Sequence, residues 1–279
     1  MVDDGHCYFP AVVAVPKTAE ECAKVVSFAN QNKISLAVNC GGHSGNVGMS
    51  KAIAIQMTSF KTVTVDTSVE PAVVCVGGGA LLGDVDTACE PHGIALTQGN
   101  ASCVGAVGSM LGGGYGYLAR WNGLSIDNVL SMTVVLASGE VVEASNDDGG
   151  DKELFWALRG GGGAFGVVTA FKAKAVKIGW DDAHGRGRMV ERVRVVRHNH
   201  SFFTCCGNGM PNGDLDVLKA WRDYTQEAPE SVSAATFLIC GGPMIQDFSF
   251  KGPIEEGHQE AEKWKDFGRT IFSFGGVKS

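Results

Sequence analysis

Glycine constrains this chain more than any other feature. Of 279 residues, 39 are glycine, about twice the usual share of roughly 7%. They are clustered: Gly41-Gly42 with Gly45, Gly77-Gly78-Gly79, Gly112-Gly113-Gly114 with Gly116, and Gly160 to Gly163. A cluster marks backbone that approaches something closely, because no Cβ holds it away. Successive N–H groups can then converge on an anion, and a phosphate is the usual guest. Three such loops span residues 39–45, 99–116 and 159–168. Neither common nucleotide motif is present. No Gly-Lys-Ser or Gly-Lys-Thr closes a P-loop, and Gly112–Gly116 is not framed by a strand and a helix start as the Rossmann fingerprint requires. Each loop taken alone also reads as an ordinary turn; three in one domain weigh against that.

The pattern between the loops mixes sheet and helix. Residues 10–58 read as strand, helix, strand, loop, strand. Thr18 and Glu21 are spaced as a capping box, and Cys22, Val25, Val26 and Ala29 share one helical face. Ile34, Leu36 and Val38 alternate as in a strand with one buried face. Strands are expected at Ala52–Met57, near Thr62–Val65 and at Ala72–Val76. A helix follows with Leu81, Leu82, Val85, Ala88 and Cys89 inward, closed by Pro91 and Gly93. Val129–Ala137 and Glu140–Ala144 form a hairpin joined at Ser138-Gly139. Asp151 caps a helix through Leu158 that Gly160–Gly163 break, and Phe165–Val176 is a strand. The fold class is α+β. The texture changes after Ile178, so a domain boundary is expected near residue 179. Regular pattern returns at Asp214, a cap for a helix with Leu215, Leu218 and Trp221 inward.

Composition excludes several functions. The net charge of -7 and pI of about 5.5 argue against a general nucleic-acid or membrane-surface partner. No apolar run reaches the roughly 18 residues of a membrane span. Nine cysteines are present without a Cys-x-x-Cys pair, so no structural zinc is expected. Their scatter suits free thiols and a reducing compartment. The N-terminus as written lacks a secretory signal, although a missing upstream exon would hide one.

His43 stands out, because it sits in a glycine loop directly after a buried strand. Neutral imidazole is a nucleophile and is largely neutral at pH 7. It can add to an electrophilic carbon of a cofactor and stay there. A hydrogen-bonded loop histidine is the other reading, and residue chemistry alone favours it.

The run Leu36-Ala37-Val38-Asn39-Cys40-Gly41-Gly42-His43-Ser44 resembles the first FAD loop of the berberine-bridge-enzyme-like flavoproteins. These belong to the vanillyl-alcohol oxidase superfamily and carry a PCMH-type FAD-binding domain. The resemblance continues in order through Gly77-Gly78-Gly79-Ala80, Val104-Gly105, Leu111 to Gly116, Asp127 to Leu130, Asp151 to Gly163 and Phe165 to Thr169. It implies a PCMH-type domain of two α/β subdomains over residues 6–179, then a partial antiparallel-sheet substrate domain over 180–279. It implies that Asn39 to Gly45 wrap the FAD pyrophosphate and that His43 bonds covalently to the flavin. Gly105, Gly108 and Ser109 would line flavin and diphosphate, and Gly166 and Val168 the adenine end. Gly99, Asn100, Val104, Gly112 and Gly116 complete the expected cofactor contacts. Asp127-Asn128 and the Phe155-Trp156 helix are read as structural, and Tyr115 and Tyr117 as packing residues.

Three departures matter. The second flavin-attachment cysteine of many relatives is Ala101 here, with Cys103 two residues later, so attachment through His43 alone is expected, as in hydroxynicotine-oxidase-like members. Asn39 replaces the basic residue common before the first glycines. The chain also ends before the C-terminal segment that relatives carry, and no catalytic base is identified. The arginine-rich stretch from Gly185 to Cys206 resembles nothing in the family. It reads as a solvated surface loop, or as a retained intron or frameshift in the gene. The implied activity is removal of a hydride from a small organic substrate, with molecular oxygen as acceptor. The alternatives are a catalytically inactive FAD-binding remnant and a dehydrogenase that avoids oxygen. The thiols and N-terminus favour the cytoplasm, whereas relatives are often secreted, so localisation stays open.

Overall fold

The computed structural model describes residues 9–44, 51–177, 189–197, 219, 222–230, 232–238, 244–252, 256, 259 and 272–274. The chain divides into two compact units, Met1–Lys177 and Ile178–Ser279.

The first unit opens with β1 (Val12–Ala14), α1 (Ala19–Gln31), β2 (Leu36–Asn39) and β3 (Ile53–Gln56). The strands form a parallel sheet in the order β1-β3-β2. Parallel neighbours need a crossover, and α1 supplies it. Thr18 Oγ1 accepts from the Glu21 N–H at 3.2 Å. Glu21 Oε2 accepts from the Lys17 N–H at 2.8 Å, so the expected capping box is displaced by one residue. Cys22, Val26 and Ala29 are buried as their spacing predicts. The predicted face of β2 is not uniformly buried: Val38 is 42% exposed while Ala37 is buried. The reason is position, since β2 is an edge strand with only β3 beside it.

Next come β4 (Val63–Asp66), β5 (Val73–Gly77), α2 (Leu82–Cys89) and β6 (Ile94–Ala95). Then follow α3 (Ala106–Leu111), α4 (Ala119–Asn122), β7 (Val129–Val135), β8 (Val141–Ser145), α5 (Lys152–Gly161), β9 (Val167–Lys174) and β10 (Val176–Lys177). Five of these strands form an antiparallel sheet in the order β4-β5-β9-β7-β8, and β6 pairs with β10. The β7–β8 hairpin turns at Gly139, with φ +86°. Asp151 Oδ1 caps α5 by accepting from the Leu154 N–H at 2.9 Å.

Two residue clusters hold this unit together. In the larger, Val74, Val76, Met132, Val134 and Phe171 of the antiparallel sheet pack with Leu82, Val85, Met110, Phe155 and Leu158 of α2, α3 and α5. In the smaller, Cys22 and Val26 of α1 meet Ile55 and Met57 on one side and Val135 and Val167 on the other. This second cluster ties the parallel sheet to the antiparallel one.

Several expectations change here. Residues 99–116 are not one loop, because α3 lies inside them with Ala106, Val107 and Met110 buried. The helix capped by Asp151 runs on to Gly161, with a kink at Arg159. Tyr115 is 63% exposed, so it is not a packing residue; the Phe155-Trp156 helix packs through Phe155, with Trp156 exposed. Tyr115 is held outward: Gly113 and Gly114 turn the chain at positive φ before it, and Gly116 abuts the Gln98 carbonyl after it. Asp127 and Asn128 are structural as expected. Asp127 Oδ2 accepts from the Leu124 N–H at 2.8 Å, and Asn128 Nδ2 donates to the Asn122 and Leu124 carbonyls.

The second unit contains an antiparallel sheet of β11 (Met189–Arg197), β12 (Val232–Leu238), β13 (Met244–Gly252) and β14 (Phe272–Phe274), in the order β12-β13-β11-β14. Within the arginine-rich stretch, Met189–Arg197 is therefore strand and not surface loop. β11 is hydrogen-bonded on both sides. The alternation of Arg192, Val193, Arg194 and Val195 is the period of a strand. Asp214, Leu215, Leu218 and Trp221 lie outside the described residues.

Candidate cofactor site

The first glycine loop leaves the C-terminal end of β2, beside the end of β3. Met57 donates its N–H to the Asn39 carbonyl at 2.9 Å, which ties the loop's start to the strand beside it. Gly41 then presses on the segment before α3. A Cβ there would lie 2.6 Å from the Gly105 nitrogen and 2.9 Å from the Cys103 carbonyl oxygen. A Cβ on Gly105 would in turn lie 2.9 Å from Cys40 Sγ. Cys40 Sγ donates to the Ala80 carbonyl at 3.5 Å, and burial pushes its thiol pKa up. Leu82 and Ala106 complete the junction, donating to the Val104 and Ala80 carbonyls at 2.9 Å each. Asn39 to Gly42, Ala80, Val104 and Gly105 are thus one assembly, although 65 positions separate its ends. His43 and Ser44 follow and are exposed, while Gly45 lies outside the described residues.

The Gly77-Gly78-Gly79 strap crosses between the two sheets. A Cβ on Gly79 would sit 1.7 Å from the Met57 carbonyl oxygen, and one on Gly78 would sit 2.8 Å from that of Val168. These glycines are required by chain crossing. Val168 is buried in the larger core cluster, so its backbone, not its side chain, faces the strap. Gly166 packs against Val134 and Val135.

A second group gathers beside α3. Gly99 lies under Tyr115 and Ser109, and Gly116 under Gln98 and Asn100. Gly108 differs from all of these, since a Cβ there would meet nothing within 4 Å. Thr97, Gln98, Ser109 and Asn128 line a cavity with space of about 10 Å³, enough for about one water molecule. The larger open concavity, about 720 Å³, lies on the antiparallel sheet around Cys75, Ser131, Glu143 and Lys172, away from the glycine loops.

The residues fit a diphosphate-bearing cofactor through their glycines. Asn39 Oδ1 is buried with no hydrogen-bond partner, and as an acceptor it does not itself hold a phosphate. Gly41 and Gly105 bring two backbone segments closer than any side chain permits, and Gly108 leaves open space on the adjoining helix. Among the described residues no cluster of His, Cys, Asp or Glu could hold a metal, and no helix is long and apolar enough to cross a membrane.

Residues 10–145 match the family described as FAD binding domain, and the fold around them is that of a PCMH-type FAD-binding domain. The chain is similar in sequence to curated FAD-linked oxidoreductases. (R)-6-hydroxynicotine oxidase of Paenarthrobacter nicotinovorans is 34% identical over 178 residues, covering 63% of this chain and 38% of that protein. The crystal structure of 6-hydroxy-D-nicotine oxidase from Arthrobacter nicotinovorans matches 96% of this chain and 56% of its own, with a TM-score of 0.79 at 24% identity. Glucooligosaccharide oxidase from Acremonium strictum, described with a 6-S-cysteinyl, 8α-N1-histidyl FAD, matches 94% of this chain and 52% of its own, with a TM-score of 0.73 at 25% identity. The chain spans about a third to a half of the length of the curated relatives it matches.

Sequence reasoning missed Gln56. It is the pairing partner of Asn39 across the parallel β2–β3 register, and Asn39 Nδ2 donates to its Oε1 at 2.7 Å. The available signal was that both strands, Leu36–Asn39 and Ile53–Gln56, end in an amide residue.

Proposed function

We propose that the first unit binds FAD with its diphosphate at the Asn39–Gly42 loop and α3, and carries it covalently on His43. The meeting of Gly41 with Gly105 carries this reading, because it joins the two loops the family uses for that cofactor. Bound FAD supplies the two-electron acceptor for a hydride taken from a small organic substrate, and molecular oxygen is the proposed final acceptor. The chain's own residues hold and orient. Backbone groups of residues 39–45 and 104–105 grip the diphosphate. The exposed His43 imidazole provides the nucleophilic nitrogen for attachment. Gly108, Ser109, Gly112 and Gly116 border the flavin, and Gly99 and Asn100 support that border. Gly166 and Val168 back the adenine end through main chain. Residues 6–179 form the FAD domain in this proposal and 180–279 a partial substrate domain. Sequencing the transcript tests the second: a message encoding Gly185–Cys206 without interruption removes the retained-intron reading.

The test of attachment is acid denaturation of the expressed chain. Flavin absorbance stays with the wild-type polypeptide and is lost from His43→Ala. Colour washed out of both would reduce the reading to noncovalent FAD. Absence of flavin from the native protein would overturn it. Peroxide release during a substrate screen then separates oxidase from dehydrogenase.

A further inference from the structure

The first glycine loop faces a dianionic diphosphate in the proposed function, yet the residue at its base is an uncharged amide. Three observations bear on how it manages. Asn39 Nδ2 donates one N–H to Gln56 Oε1 at 2.7 Å. Asn39 Oδ1, the other end of the same amide, is buried and has no partner. That oxygen is also the nearest atom, at 3.5 Å, to the point where a side chain on Gly42 would begin, and Gly42 turns there at φ +70°. The unused end of the amide therefore borders the space beneath the loop's crest, next to His43.

In this orientation an acceptor faces the loop, and an acceptor repels phosphate oxygen. The two ends of an amide are nearly identical in shape, so a half-turn exchanges donor for acceptor without disturbing packing. If Asn39 and Gln56 turn together, Gln56 Nε2 donates to Asn39 Oδ1 across the same contact. Asn39 Nδ2 then points into the loop. Without a ligand, either orientation leaves one polar group unsatisfied, which is costly. An anionic acceptor satisfies only the turned one. We propose that Asn39 and Gln56 form a reversible amide pair that delivers an N–H donor to the FAD diphosphate, in place of a basic side chain. Asn39 is the binding determinant of this uncharged loop, and Gln56 is a partner that lets it turn. This role rests on FAD occupying the loop.

The experiment measures FAD binding to the full chain by flavin fluorescence, in a His43→Ala background so that binding is reversible. Gln56→Glu can only accept, so it fixes Asn39 with its oxygen toward the loop. FAD affinity is expected to fall roughly tenfold or more. Residue 56 is partly buried, where salt screens a charge little, so Asn39→Leu serves as the charge-free control. Gln56→Met leaves Asn39 free to turn and retains affinity within roughly threefold. Asn39→Leu, without charge or donor, loses as much as Gln56→Glu. Thermal melting of the cofactor-free variants checks that each is folded. Equal FAD affinity in Gln56→Glu and the parent overturns the amide pair and leaves the FAD site standing. Unchanged affinity in folded Asn39→Leu, or an equal loss in folded Gln56→Met, also overturns it. No FAD uptake by the parent overturns both.

Discussion

The glycines of the first unit divide into two kinds that look alike in the sequence. Gly41, Gly78, Gly79, Gly105 and Gly116 each lie against another segment's atoms, at distances where a Cβ would collide. Gly108, Gly160 and Gly163 lie against nothing within 4 Å. The first kind is required by the fold, because backbone crosses backbone there. The second kind is not required by any neighbour in the chain. An open glycine in a helix is also unfavourable, costing roughly 0.5–1 kcal/mol relative to alanine. In the proposed function, its place in α3 beside the loop junction is room for the cofactor. Glycine content alone conflates support for the chain with room for a cofactor; the surroundings of each glycine separate them.

The strongest way to break this division is at Gly79. A Cβ there would fall 1.7 Å from the Met57 carbonyl oxygen, and both partners are backbone. Neither can yield without shifting the strap that joins the sheets. Gly79→Ala is expected to lose about 3 kcal/mol or more, a large share of the roughly 5–15 kcal/mol that holds a domain together. Urea denaturation would measure it. A loss below about 1 kcal/mol would show that the strap is loose, and that the crowded glycines are not fold requirements.

The cysteines offer the same contrast between core and site, with a pH dependence. Burial pushes the thiols of Cys22 and Cys89 up to about 11, and both are almost fully enclosed. Cys103, beside the glycine loop, is exposed. At pH 8 a thiol reagent is expected to label Cys103 quickly and to reach Cys22 and Cys89 only on unfolding. The sign of the stability effect follows from the same shifts. Between the ordinary thiol value of 9.0 and about 11, the unfolded chain releases these protons and the folded one keeps them. Stability is therefore lost as pH rises through that window, by at most about 1.4 kcal/mol per pH unit for each thiol. Melting temperatures that stay level from pH 9 to 11 would contradict it. Early labelling of Cys89 would place α2 outside the core.

Most of the architecture was legible because it depends on local chemistry. Thr18 and Asp151 mark helix starts, and Ser138-Gly139 marks a hairpin. Val85 announces its burial by period. The failures have physical causes. The buried Ala106, Val107 and Met110 of α3 are hidden between Gly105, Gly108 and Gly112, whose low helix propensity suggests a loop until packing overrides it. Tyr115, read as a packing residue, is turned outward and exposed, because Gly113 and Gly114 at positive φ turn the chain before it. The loop around His43 could be recognised by its resemblance, and the same pattern assigned Gly41 and Gly105 to one cofactor without giving their contact. The Asn39–Gln56 contact was not. It exists only because β2 and β3 pair in parallel in one register, and register is a property of the assembled sheet.

The smallest expected effect is the most discriminating, because fold and site predict opposite signs for it. Gly108 lies inside α3, and a Cβ there would touch nothing. Gly108→Ala removes backbone entropy from the unfolded chain and adds a better helix former. The cofactor-free protein is therefore expected to gain roughly 0.5–1 kcal/mol. If FAD passes over this helix turn, the added methyl occupies the cofactor's space. FAD then binds more weakly, and the rise in melting temperature on adding FAD shrinks. The two measurements belong on one sample, melted with and without FAD. Higher intrinsic stability with weaker FAD binding would show that the open glycine is kept for the ligand. Higher stability with unchanged FAD binding would remove Gly108 from the cofactor's border. Lower stability without FAD would mean that α3 tolerates no side chain there, so that Gly108 belongs with the crowded glycines.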